Sequence, residues 1–137
     1  MRKQNCNAEP KRLPPDKIIA ELPFGFWSSL FNVQFQTILW KDLRLIFPRC
    51  PKPQRQRHTV SSALNQIREL RNRVFHHEQL LWLSPSLIDL HSKGVEVISW
   101  LDPKLPPWLA GYDRLPATWA MIQPIQVKHR RLPGPVP

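Results

Sequence analysis

Proline decides where this chain can form helices. Sixteen of its 137 residues are proline, and they crowd residues 10–15, 48–53 and the stretch from 103 to the end. Each removes a backbone donor and clashes with the preceding turn, so a helix interior excludes it. Between the clusters the apolar residues recur at helical spacing, and no period-two run points to a strand. The expected fold class is therefore all-α.

Pro14-Pro15-Asp16 reads as a helix start with Asp16 as cap, opening a short helix over about 17–22 that Pro23 ends. The segment Phe24 to Phe47 is aromatic and aliphatic, and Ser28, Ser29 and Asn32 allow a bend. Two helices are expected there, roughly 26–32 and 34–47, with Pro48 stopping the second. Thr59 is the expected cap of a long helix over about 60–80. Ser84-Pro85 pairs a cap with a proline at the first helical position and starts a helix to about 101, in which Gly94 is expected to weaken or break the run. Asp102-Pro103 repeats that pattern before a short helix near 104–110. The Pro-rich, basic remainder after Trp119 is expected to be a loose tail. The expected organisation is a flexible tail at 1–15, a helical domain at 16–119 and a basic tail at 120–137. The six tryptophans, each with aliphatic neighbours, read as packing residues in preference to base-stacking ones.

Charge narrows the partners. The net charge is +10 and the pI about 10.5, which favours a polyanion, most often nucleic acid. The loop 49–58 carries Arg49, Lys52, Arg55 and Arg57 with no acid among them, and Lys128-His-Arg-Arg131 forms a second cluster. Such runs are either solvated loops or phosphate contacts. No apolar run has transmembrane length and the basic N-terminus lacks an apolar stretch after it, so a cytoplasmic protein without membrane contact is expected. Cys6 and Cys50 are too few for a disulfide framework and read as reduced thiols.

The segment Arg68-Glu-Leu-Arg-Asn-Arg-Val-Phe-His-His-Glu78 asks for more than a solvated face. At about 100° per residue, Val60, Ala63, Leu64, Ile67, Leu70 and Val74 form one buried stripe. Arg71 and Glu78 fall in the same sector, where charge is costly unless paired or wetted. Asn72 and His76, four apart, share an edge; Arg73 and His77 form another such pair. A second copy of the helix, packed near two-fold symmetry, could bring both sets into one cleft. Phosphodiester cleavage in RNA suits these residue types. Histidine moves protons near neutrality, arginine holds phosphate at two points, and asparagine orients a ring or a sugar hydroxyl without titrating. The RNA 2′-hydroxyl supplies the nucleophile, so neither cofactor nor metal is expected. Adjacent histidines point about 100° apart on a helix and rarely share an ion.

These segments resemble the abortive-infection-like (Abi-like) proteins of the HEPN superfamily. The resemblance rests on Glu21-Leu-Pro-Phe-Gly-Phe-Trp27, the apolar run through Leu39-Trp40, Ile67 to Glu78, Trp100-Leu-Asp-Pro103 and Asp113-Arg-Leu-Pro116, and covers roughly 16–119. It implies a HEPN-like helical bundle, commonly a homodimer, and in many members a metal-independent ribonuclease. The family's signature of an arginine, a polar residue and a histidine four to six positions after the arginine maps onto Arg71, Asn72 and His76. His77 also meets the spacing, and His76 is preferred because it shares an edge with Asn72. Under this reading Arg71 holds the scissile phosphate, His76 moves protons, Asn72 orients, Arg73 and His77 assist, and the loop with Arg49, Lys52, Arg55 and Arg57 draws in RNA. The resemblance further implies phage defence by suicide of the infected cell, or a toxin held by an antitoxin or other regulatory partner. Family members carry a longer stretch before the PFGFW segment, so apolar surface is expected to be exposed on Phe24–Phe47. The competing expectations are a noncatalytic basic module that binds RNA or protein, and a remnant that needs a partner to fold.

Overall fold

The computed structural model describes residues 14–130, with side chains through Ile125, and among these residues every regular element is helical. The elements are α1 (Pro15–Glu21), α2 (Phe24–Ser29), α3 (Gln36–Leu43), α4 (Arg57–Phe75), α5 (Leu87–Leu101), α6 (Leu105–Ala110) and α7 (Leu115–Arg130). Single 3₁₀ turns at Val33–Phe35 and Arg44–Ile46 flank α3. Cys6 and residues 131–137 lie outside the described residues.

The core gathers Phe31, Phe47, Cys50, Val60, Ala63, Val97 and Trp100, with Leu30, Trp40, Leu43, Leu64 and Ile67 packed around it. Phe47 is its centre. Its ring lies 5.9 Å from that of Phe31 and 6.3 Å from that of Trp100, the latter edge-on at 88°, an arrangement that suits the ring quadrupoles. Helices α4 and α5 form the principal pair. Gly94 does not interrupt α5: a Cβ added there would meet Ile67 Cγ1 at 3.9 Å, an ordinary contact, so the helix runs through unbroken.

The loop before α4 is held by its own arginine. Arg55 Nη2 donates to the carbonyls of Pro48 and Cys50, each at 2.8 Å, and Nε donates to Cys50 at 3.2 Å. Cys50 itself is buried in the core, and burial pushes its thiol above the ordinary pKa, while Arg55 pulls the other way.

Several helix ends differ from those expected. Asp16 lies inside the first turn of α1, behind Pro14. The N-cap of α5 is Ser86, not Ser84. Ser86 Oγ accepts from the Asp89 N–H at 3.3 Å, and the Asp89 carboxylate accepts from the Ser86 N–H at 3.2 Å. This reciprocal capping box outbids Ser84-Pro85 because it satisfies two donors at once. Helix α4 opens at Arg57 with Gln56 at the cap position, two residues before Thr59. The chain stays helical from Leu115 past Trp119 to Arg130, with Pro124 inside the helix, where a loose tail was expected.

The apolar stripe of α4 is covered over only part of its length. Val60 and Ala63 are fully buried, whereas Val74 and Phe75 are 52% and 72% exposed. In the segment ahead of α4, Ile38 and Leu45 are 69% and 68% exposed, in line with the apolar surface expected there. The tryptophans divide: Trp100 and Trp119 are buried and Trp40 packs on the core, while Trp27, Trp82 and Trp108 are exposed. None of the described helices is long and apolar enough to cross a membrane.

Candidate functional site

The charged segment occupies the last turns of α4 and the residues just beyond, and the way that helix stops sets its geometry. The His77 N–H donates to the Val74 carbonyl at 3.2 Å and the Glu78 N–H to that of Arg73 at 3.0 Å. His77 has a φ of 55°, the left-handed conformation. This is a Schellman ending, with His77 where glycine is usual. It terminates α4 at Phe75, short of the expected limit near 80. His76 is thus the C-cap; its N–H donates to the Asn72 carbonyl at 2.9 Å.

Residues 71–79 are all exposed. Arg71 lies over the Phe75 ring, 5.9 Å from its centroid, and donates from Nη1 to Asn72 Oδ1 at 3.4 Å. The ring of Phe75 meets that of His76 edge-on at 5.9 Å. Arg71, Asn72, Phe75 and His76 therefore form one contiguous surface group, linked through an aromatic ring. The charge of Arg71 on the apolar side is accounted for by this cation–π contact and by water. Glu78 leaves the apolar sector because the helix has ended. Its carboxylate takes Arg73 Nη1 at 3.3 Å, so Arg73 pairs with Glu78, not with His77.

A shallow apolar hollow lined by Ile67, Leu70, Arg71, Val74 and Phe75 opens beside this group, walled by α4 alone. On the other side of the helix, a cavity of about 180 Å³ lies between α4 and the turn at Leu83–Pro85, lined by Gln66, Glu69, Leu70, Arg73, Leu83, Ser84, Pro85 and Leu90.

The four cations of the basic loop part company. Arg49 and Lys52 are exposed. Arg55 is bound to the loop's carbonyls, as described above. Arg57 donates from Nη1 to the Phe31 carbonyl at 3.0 Å and from Nε to Gln36 Oε1 at 2.9 Å. Both guanidinium groups staple the fold, which removes most of their freedom to grip phosphate. The C-terminal basic cluster begins at Lys128, beyond the described side chains.

Sequence reasoning missed the pair formed by His91 of α5 and Asp113, whose Nε2 and Oδ2 atoms lie 2.6 Å apart. It ties α5 to the start of α7, where Asp113 Oδ1 also accepts from the Leu115 N–H at 3.0 Å. No periodicity within one helix could reveal it, because the partners come from different elements. No family model, curated protein or solved structure matches the chain.

Proposed function

We propose that this chain is a metal-independent endoribonuclease of an abortive-infection or toxin–antitoxin type, acting as a homodimer with a HEPN-like bundle fold. The observation that carries the reading is the grouping of Arg71, Asn72 and His76 around Phe75 at an exposed helix end, next to the end of an apolar stripe that no described residue covers at Val74 and Phe75. Val74 and Phe75, exposed beside the partly covered Ile67 and Leu70, supply a face on which a second α4 would bury apolar area, and such packing sets two copies of the polar group side by side. Burial of this kind contributes about 25 cal/mol per Å².

In that cleft, Arg71 holds the scissile phosphate through its two-pronged guanidinium. One His76 takes the 2′-hydroxyl proton as the oxygen attacks phosphorus. The other gives a proton to the departing 5′-oxygen. The products are a 2′,3′-cyclic phosphate and a free 5′-hydroxyl, and the two imidazoles exchange protonation states. Asn72 orients the imidazole or the ribose once Arg71 has turned to phosphate. Arg73 and His77 assist at the rim, and Arg49 and Lys52 draw in RNA. An antitoxin or other regulatory partner restrains the activity.

The test is RNA cleavage by the purified chain in excess chelator, with His76→Ala beside it and the size of both checked in solution. Loss of proton transfer lowers the rate by roughly 10²–10⁴-fold. Cleavage that survives intact in His76→Ala removes the assignment. One observation favours a second reading, a noncatalytic RNA-binding module: within a single chain, the side-chain oxygen Oδ1 of Asn72 accepts from Arg71 and not from His76. Tight RNA binding without cleavage, unaltered by His76→Ala, would decide for it.

A further inference from the structure

The cavity between α4 and the Leu83–Pro85 turn holds the most unusual polar set outside the catalytic group. Gln66, Glu69 and Arg73 recur on one face of α4, at steps of three and four, and Ser84 meets them from the turn. Among the described residues, the side chains of Gln66, Glu69 and Ser84 have no hydrogen-bond or ion-pair partner. Leu83 and Leu90 add apolar walls. At about 180 Å³ the cavity is well below the roughly 300–1,000 Å³ of clefts for drug-sized ligands and suits a single flat heterocycle.

The carboxylate identifies the ligand. A surface built only to hold a phosphate backbone gains from cations and loses from an acid, yet Glu69 sits one turn from Arg73 in a chain of net charge +10. An ionised carboxylate accepts and cannot donate. Among the RNA bases, guanine alone presents two adjacent N–H donors on its Watson–Crick edge, N1–H and N2–H, which match the two oxygens of a carboxylate. Single-stranded RNA offers such edges to proteins because its bases can be splayed out of the stack. Glu69 lies three residues before Asn72 and seven before His76, so the cavity sits within about two turns of the reacting group, across α4 from the apolar hollow.

We propose that this cavity is a guanine subsite: Glu69 accepts N1–H and N2–H of a flipped guanine, Gln66 and Ser84 meet its remaining polar edge, and Arg73 holds the adjoining phosphate. The proposal rests on the RNA reading above and adds a base specificity to it.

The experiment measures binding apart from cleavage. The full chain is titrated with fluorescent 2′-O-methyl oligonucleotides, which lack the attacking hydroxyl: one all-uridine, one with a single central guanosine, and one with inosine in its place. Wild type binds the guanosine oligonucleotide about tenfold or more tightly than the all-uridine one, with inosine, which lacks N2–H, in between. Glu69→Gln, which keeps helix propensity and size, abolishes that preference and leaves all-uridine binding unchanged. Equal affinity for the three oligonucleotides overturns the subsite, as does a guanosine preference that survives Glu69→Gln. Absence of binding to any of them overturns the subsite and the RNA reading together. Cleavage of unmodified RNA then separates the two: guanosine-selective binding without cleavage keeps the subsite and removes the ribonuclease, while cleavage without guanosine-selective binding does the reverse.

Discussion

Arg57 distinguishes a cation that binds RNA from one that holds the fold, and replacing it gives the sharpest test of the structure. Its guanidinium reaches 26 positions back to the Phe31 carbonyl at 3.0 Å and 21 back to Gln36 Oε1 at 2.9 Å. It thereby pins the first turn of α4 to the α2–α3 connection, next to buried Phe31. Hydrogen bonds from a charged donor contribute about 1.5–3 kcal/mol each when well buried. Arg57 is only partly buried and one acceptor is a surface amide, so about 1–2 kcal/mol in total is the reasonable loss for Arg57→Ala. For a chain of this size that corresponds to a fall in Tm of roughly 3–8 °C. Arg57→Lys should lose nearly as much, because an ammonium cannot reproduce the two-pronged geometry. RNA binding gives the second readout. Each phosphate contact to a single strand contributes about 0.7 to the slope of log affinity against log salt. Lys52→Ala and Arg49→Ala should each flatten that slope, and Arg57→Lys should leave it unchanged. An Arg57→Ala protein with unchanged Tm and a slope flattened by about 0.7 would refute the reasoning: the guanidinium would then be serving phosphate and not the fold.

Three further outcomes are expected. His77→Gly should stabilise the chain by about 0.5–1 kcal/mol in a denaturant titration, because glycine adopts the left-handed C′ conformation without the Cβ clash; cleavage retained in this variant assigns proton transfer to His76, and a loss of stability would contradict the helix ending. Ser86→Ala removes the capping box of α5 and should cost about 1 kcal/mol, whereas Ser84→Ala should cost little; the reverse order would place the helix start at Ser84. Cys50 has its folded-state pKa raised by burial, so its contribution to stability is fully present below the unfolded thiol pKa and is lost as pH rises through the folded value; Cys50→Ala should lose less stability than wild type between neutral and alkaline pH, and a thiol that reacts with an alkylating reagent in the native state would contradict its burial.

How much of this could be read from the residues is clearest at α4. Its existence and buried stripe follow from apolar spacing, and Val60 and Ala63 are buried as the 3.6 period requires. Its ends do not follow. The start depends on Arg57 gripping a carbonyl 26 residues away, which no local signal announces. The stop depends on a left-handed residue, and glycine would have marked it, but here the position is filled by histidine. In contrast, the start of α5 was legible: Ser86 and Asp89 stand in capping-box spacing, and the more familiar Ser-Pro pair just upstream obscured them. The extension of α7 through Pro124 opposes the local rule outright, since that proline leaves one ladder bond unmade.

The candidate site divides along the same line. Residue types are properties of the sequence, but their grouping is not: the side chain of Asn72, expected to share an edge with His76 apart from Arg71, instead accepts from Arg71, and Phe75 joins Arg71 to His76. Availability is a property of the whole packing. Arg55 and Arg57 look identical to Arg49 and Lys52 in a list of charges, yet two of the four are held by carbonyls of the fold. Glu69 is exposed, and only the placement of the Leu83–Pro85 turn beside α4 shows that it also lines a cavity. The exposed part of the α4 stripe has the same consequence. A stripe continuous in sequence is covered at one end and bare at the other, because α2 and α5 cover Val60 and Ala63 but nothing among the described residues covers Val74 and Phe75. The bare end is also the end that carries the arginine, asparagine and histidine. A solvated face would have no reason to keep Val74 and Phe75 apolar there, whereas a second α4 packed against them would bury the hydrocarbon and bring the polar groups of two chains together.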